Sequence, residues 1–190
     1  HTHTDTVCGS HDLANPALTD GACARLKQSC PHRVRWPVHA AHGAPVTVSI
    51  PSPQNLARLM LWRAQALTMQ PYMASILLSL KPVDSDEIDW FAVDSHLRLY
   101  VNFATVVAMD DDRCAAQALL HECGHVFGRH DRRAKEAGVA SHQFEDWNIA
   151  GDAAINDDLL EAGHADRLIA HKACYLGTTL GEPLHQTAEH

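Results

Sequence analysis

Apolar residues first recur with a helical period over residues 54–69. Leu56, Leu59, Met60 and Leu67, with Arg63 among them, fall at spacings that predict a helix packed on a core. Residues 72–80 are apolar but short, and their pattern fits a helix or a strand equally well. The period then drops to two. Trp90-Phe91-Ala92-Val93 and Leu97-Arg98-Leu99-Tyr100-Val101 flank Asp94-Ser95-His96, the signal of a hairpin. Helical spacing returns at about 111–128, 145–161 and 164–173. Upstream the pattern dissolves. Residues 1–15 are polar, and Asn15-Pro16 opens a short helix to Gln28. Residues 30–53 carry Pro31, Pro37, Pro45, Pro51 and Pro53 and read as a meandering arm, in which Val46-Thr47-Val48-Ser49-Ile50 alternates as a short strand would. The expected division is an irregular arm over residues 1–53 and one domain over residues 54–190. The expected class is α+β, with helices around a small, mainly antiparallel sheet.

The helix at 111–128 carries the chemistry. His121-Glu122-Cys123-Gly124-His125 is a complete HExxH. On a helix, residues four apart have Cβ atoms roughly 5–6 Å from each other, so His121 and His125 can reach one ion. Imidazole suits Zn²⁺, and Glu122 is placed to take a proton from a water that the metal activates. Context strengthens the motif. Asp110-Asp111-Asp112 complements the dipole at the helix start. Cys114, Ala115, Ala118, Leu119, Glu122, Val126 and Phe127 repeat along an inner face, and no Gly or Pro interrupts Arg113 to Cys123.

A catalytic zinc takes three protein ligands and keeps one position open. Two local candidates follow the motif. Gly128 and Asp131 complete HExxHxxGxxD, in which the glycine turns the chain and Asp131 returns to the ion, and His130 stands beside it. The four methionines all precede the motif, so the later Met-turn that accompanies this pattern in metzincin-like enzymes has no counterpart here. A remote candidate is preferred. Asn148, Asp152 and Asn156 form one stripe on the helix at 145–161, while Ile149, Ala153 and Leu160 are expected on its core side. Burying such a stripe is costly without partners, and a metal with Asp152 as ligand would supply them.

The segments HECGHVFGRHDRR (His121–Arg133) and WNIAGDAAINDDL (Trp147–Leu159) resemble a bacterial metallopeptidase family often found ahead of a von Willebrand factor A-like domain. Pro71-Tyr72-Met73-Ala74, the stretch from Val93 to Asn102, and Thr187-Ala188-Glu189 share the likeness, which covers roughly residues 55–190. The resemblance implies a zincin-like fold with the HExxH on a central helix, His121 and His125 as ligands, and Glu122 as catalyst. By position it supports Asp152 as the third ligand. It also implies an edge strand beside the metal helix, to which an extended peptide can add by backbone hydrogen bonds.

Charge and composition narrow the partners. A net charge of −8 argues against nucleic acid, and no apolar run is long enough to span a membrane. The basic cluster Arg129, Arg132, Arg133 and Lys135 reads as a solvated helix end. The cysteines Cys8, Cys23, Cys30, Cys114, Cys123 and Cys174 contain no CxxC pair, which argues against a zinc knuckle. Cys114 and Cys123 are expected as buried thiols, while a disulfide among Cys8, Cys23 and Cys30 is open. The histidines crowding the first quarter lack ligand spacing and read as surface residues. The start, His1-Thr2-His3-Thr4-Asp5, has no basic or apolar segment of a signal peptide, and a reduced, cytoplasmic setting is the expectation.

The expected activity is a zinc-dependent hydrolase cleaving peptide bonds in a peptide or protein, with Tyr72, Tyr100, His130 or His142 as oxyanion donor. The alternative is a metal-stabilised, non-catalytic binding module that docks a partner domain or protein; four protein ligands, with both His130 and Asp152 bound, would mark it. Hydrolysis of a non-peptide amide is a third reading, since it uses the same activated water.

Overall fold

The computed structural model describes residues 48–171, 176–181, 183 and 186–189. The expected helix from Pro16 to Gln28, the N-terminal histidines, Cys8, Cys23, Cys30 and Cys174 lie outside these residues, as does most of the proline-rich arm.

Helix α1 spans Pro53–Met69, started by Ser52, whose side chain accepts the Asn55 N–H at 3.1 Å, and by Pro53 in the first turn. It buries Leu59, Trp62, Arg63 and Ala66. Leu56 and Met60 face outward instead, because the inner stripe is centred on the large Trp62 ring. A 3₁₀ turn at Pro71–Met73 leads into helix α2, Ala74–Ser79, which settles the ambiguous segment as helical.

The sheet has three strands: β1 Lys81–Asp84, β2 Phe91–Val93 and β3 Arg98–Val101, in the order β1-β3-β2. The expected hairpin is β2 with β3, antiparallel. The sheet is nevertheless mixed rather than mainly antiparallel, because β1 runs parallel to β3. β1 carries Pro82, which an edge strand tolerates and which obscures a strand in sequence. Of the alternating segment at Val46–Ile50, Ser49 makes an isolated bridge to Asp84.

Helix α3, Phe103–Ala108, is capped by Asn102 and was hidden by its β-branched residues. Helix α4, Asp112–Phe127, follows a left-handed turn at Asp110. Then come α5 His130–Glu136, α6 Phe144–Glu161, α7 Asp166–Ala170 and α8 Gly177–Leu180. The basic cluster lies largely in α5, where Lys135 pairs with Asp131, Arg132 with Glu136, and Arg133 with Glu189. No helix of the described residues is long and apolar enough to cross a membrane.

α4 is the axis of the core. It is buried on every side from Cys114 to Cys123, with α1, α2, β2, α6 and α7 packed around it. Phe127, expected inside, is exposed at the helix end. Polar anchors hold the first half of α4. Trp62 stacks on Phe103 and meets Phe91 edge-on, while its indole N–H donates to Asp112 Oδ1 at 2.7 Å. Gln117 is fully buried, and its Oε1 accepts the Arg167 and Leu168 N–H groups at 2.9 and 3.3 Å, capping α7.

Asp111 caps α4 by accepting the Cys114 N–H at 2.9 Å, and it also receives Arg167 Nε at 2.7 Å and His171 Nε2 at 3.1 Å. Burial alone would raise its carboxyl, but the Arg167 guanidinium, the Cys114 N–H and His171 outweigh burial and hold it at about 2. A depressed carboxyl stabilises the fold above its unfolded value of 3.8, and that contribution is lost as pH falls through about 2. Asp111→Ala should therefore cost roughly 2 kcal/mol at neutral pH in urea unfolding. The difference from wild type should shrink below pH 3.8; a difference independent of pH would contradict this account.

Candidate metal centre

α4 presents His121 and His125 one turn apart, and α6 brings Asp152 against them. The Nε2 atoms of the two rings lie 3.0 Å apart. Asp152 Oδ1 is 3.4 Å from His121 Nε2 and 3.1 Å from His125 Nε2. All three side chains are buried, and this is the group of donors among the described residues that can close on one ion. Zinc bonds of about 2.0–2.1 Å in a tetrahedron separate neighbouring ligand atoms by about 3.3 Å, so the triangle fits such an ion without rearrangement. Asp152 Oδ1 is also buried without a hydrogen-bond partner. A desolvated carboxylate oxygen without a hydrogen-bond partner, set between two imidazole nitrogens, makes this the place where a cation could be held.

The two local rivals for third ligand are not brought to this point. Asp131 points along α5 to Lys135 Nζ, 2.8 Å away. His130 lies behind His125, Nδ1 to Nδ1 at 3.1 Å. Gly128 does not make the turn that the local reading assigned to it. Its φ of −71° is helical, and the left-handed residue is Arg129, at φ 51°.

The crossing of α4 and α6 sets the geometry. A Cβ on Gly124 would stand 2.7 Å from Ile155 Cγ2, so the small residue admits an α6 side chain rather than a backbone. That crossing turns the polar stripe inward. Asp152 and Asn156 are buried, and Asn156 Oδ1 lies 2.8 Å from His121 Nδ1. An Nδ1–H donated to Asn156 leaves the His121 Nε2 lone pair facing the cluster. Asn148 is only half-buried at the start of the stripe. On the apolar side Ile155 and Leu159 are buried, whereas Leu160, expected there, is exposed.

Residues 56–181 match the family described as "Putative metallopeptidase domain". The chain belongs to that family. The match spans all three members of the cluster, and family and cluster together support a metal-dependent hydrolase. No curated protein and no solved structure matches the chain.

Within this metallopeptidase-family domain, electrostatics single out two carboxyls. Burial opposes ionisation of Asp152, but its contacts with His121 and His125 overcome that and hold it at about 2. Burial would lower His121, but the Asp152 contact, helped by Glu122 and Asn156, raises it to about 9. His125 is lowered by burial and by its neighbour His121. Burial pushes Glu122 up to about 7, with His121 pulling it down and Asp152 pushing it up. Burial drives the Cys123 thiol to about 12, so it stays protonated within the motif. His130 is lowered to about 4, chiefly by burial.

β2 is the strand beside α4. Phe91, Ala92 and Val93 are each 1% exposed, so this edge is packed against α4 rather than standing open to an added peptide strand. The oxyanion candidates are dispersed. Tyr100 O–H donates to Asp94 Oδ2 within the hairpin, His142 is exposed, and His130 is behind His125. Tyr72 is exposed on the rim of a cavity of about 320 Å³. That cavity, walled by Leu120, Gly124, Ile155 and His130, had no signal in the sequence because its lining comes from separate elements.

Gly124→Ala gains about 0.8–1.0 kcal/mol of helix propensity but overpacks Ile155, at a cost of about 1–3 kcal/mol. The β-branched Ile155 is stiff on its helix, so overpacking should win and the variant should be less stable. Adding Ile155→Ala should cost less in the Gly124→Ala background than alone, as read from a double-mutant cycle of unfolding free energies; additive effects would show that the two positions do not touch.

Proposed function

We propose that this chain is a zinc-dependent hydrolase that cleaves peptide bonds, with His121, His125 and Asp152 holding the ion and Glu122 as general base. The observation that carries this reading is Glu122 itself. Its Oε2 is buried and without a hydrogen-bond partner, on the residue adjoining a cluster of three metal donors. A carboxylate kept dry and unpaired beside a metal site is a proton acceptor in waiting. When bound, zinc lowers the pKa of a water it holds toward 7 and polarises a carbonyl oxygen.

The chain's own residues divide the remaining work. Asn156 and His130 hold the outer nitrogens of the two imidazoles. Glu122 accepts a proton from water at Oε2 and delivers it to the leaving amine nitrogen. Three donors leave a fourth tetrahedral position for water or substrate, which favours a catalytic centre over a closed structural one. The substrate in this reading is a peptide or protein.

Glu122→Gln should retain zinc in elemental analysis and lose at least about 100-fold in turnover of a quenched-fluorescent peptide library that the wild type cleaves and a chelator silences. Wild-type turnover in that variant would remove Glu122 from the chemistry. Asp152→Ala should retain well under one equivalent of zinc after dialysis, and full retention would remove Asp152 from the ligand set.

A further inference from the structure

We propose that His130 is a positioning residue: from a slot that Gly128 and Gly151 keep open, it holds His125 in the tautomer a metal ligand requires. The proposal rests on the zinc reading above and goes beyond it by assigning a task to a side chain outside the ligand set.

The rings of His125 and His130 meet nearly at right angles, 81° between planes with centroids 5.1 Å apart, and their Nδ1 atoms are 3.1 Å from each other. A neutral imidazole has one donor and one acceptor nitrogen. If His125 Nδ1–H donates to His130 Nδ1, the His125 Nε2 lone pair faces His121 and Asp152 and can bind an ion. If His130 donates instead, a proton sits on His125 Nε2 and blocks the site. The state of His130 therefore decides whether His125 can be a ligand. His121 has its own outer partner in Asn156, so the two ligands are held by chemically different groups.

Three local features converge on this one ring. A Cβ on Gly128 would lie 2.8 Å from His130 Nε2 and 2.9 Å from its Cδ2. A Cβ on Gly151 would lie 2.8 Å from Nδ1 and 3.1 Å from Cε1. Neither glycine has a positive φ, so backbone freedom does not explain them, and in the interior of α6 alanine would be the better helix former. Arg129 adopts the left-handed conformation, unusual for a residue with a long side chain, and this turn starts α5 with His130 beneath His125. A histidine that merely filled the core would not call for a cleared berth on two helices and a strained residue before it.

The test is zinc affinity of the full chain, measured by competition with a chromophoric chelator, with thermal unfolding of the metal-free protein as the record of packing. His130→Ala should weaken zinc binding about 10- to 100-fold. His130→Asn, whose side-chain oxygen can accept the His125 Nδ1–H, should recover much of that loss, although it packs no better than other small replacements. Gly151→Ala keeps the imidazole but crowds it, and should also weaken zinc. The proposal is overturned if folded His130→Ala binds zinc within about threefold of wild type, or if His130→Asn binds no better than His130→Ala. Should His130→Ala fail to fold, a folded Gly151→Ala with wild-type affinity overturns it equally. A wild-type chain that binds no zinc would instead sink the metal reading itself.

Discussion

Where Gly124 has no side chain, Ile155 of α6 fills the space. This contact brings two helices close enough for Asp152, one turn before Asn156 on the inward stripe of α6, to reach both imidazoles of α4. The depth of the crossing sets the cluster's dimensions. A Cβ at Gly124 would push α6 outward, and the separations of 3.1 and 3.4 Å between Asp152 and the two Nε2 atoms would no longer close on one ion. Gly128 and Gly151 extend the same seam and admit the His130 ring. The seam of glycines is thus a structural device and a chemical one at once.

The helix that carries the motif is also the most buried helix of the fold, and this gives the site its electrostatic character. Glu122 and Asp152 share the same dry surroundings, yet they are driven apart. Asp152 faces two imidazoles and stays ionised at about 2, whereas Glu122 is pushed to about 7 by burial. Environment alone drives the two carboxyls apart, the separation that the proposed roles of ligand and base would use. Such a centre needs fixed walls. Asp111 with Arg167 and His171 ties the start of α4, Gln117 ties its middle to α7, and Trp62 ties α1 to its first turn. These anchors stabilise the fold and also limit how far His121 and His125 can stray.

What was legible in sequence were the features with a local period. HExxH shows itself because two ligands on one helix face must stand four residues apart, and Asp152 stood out because an Asn-Asp-Asn stripe on a helix demands partners. The β2–β3 hairpin showed for the same reason of period. Features that depend on distant packing stayed hidden. β1 is a strand through its pairing with β3, not through Lys81-Pro82. The separate helix α5 was concealed because its residues are mostly charged and the turn that starts it uses Arg129 in a conformation sequence seldom signals. The inner face of α1 was misjudged around Leu56 and Met60 because one buried Trp62 outweighs them. His130 was visible as a rival ligand and as an oxyanion candidate but not in the place it occupies, since spacing does not tell a ring that faces the ion from one that stands behind it.

X-ray absorption at the zinc edge of the purified, zinc-loaded chain tests the central claim most directly. The account predicts one zinc per chain in a shell of about four nitrogen and oxygen donors near 2.0–2.1 Å, with the outer-ring scattering of two imidazoles and no sulfur. A sulfur shell near 2.3 Å, a single imidazole, or a chain that takes up no zinc would contradict it.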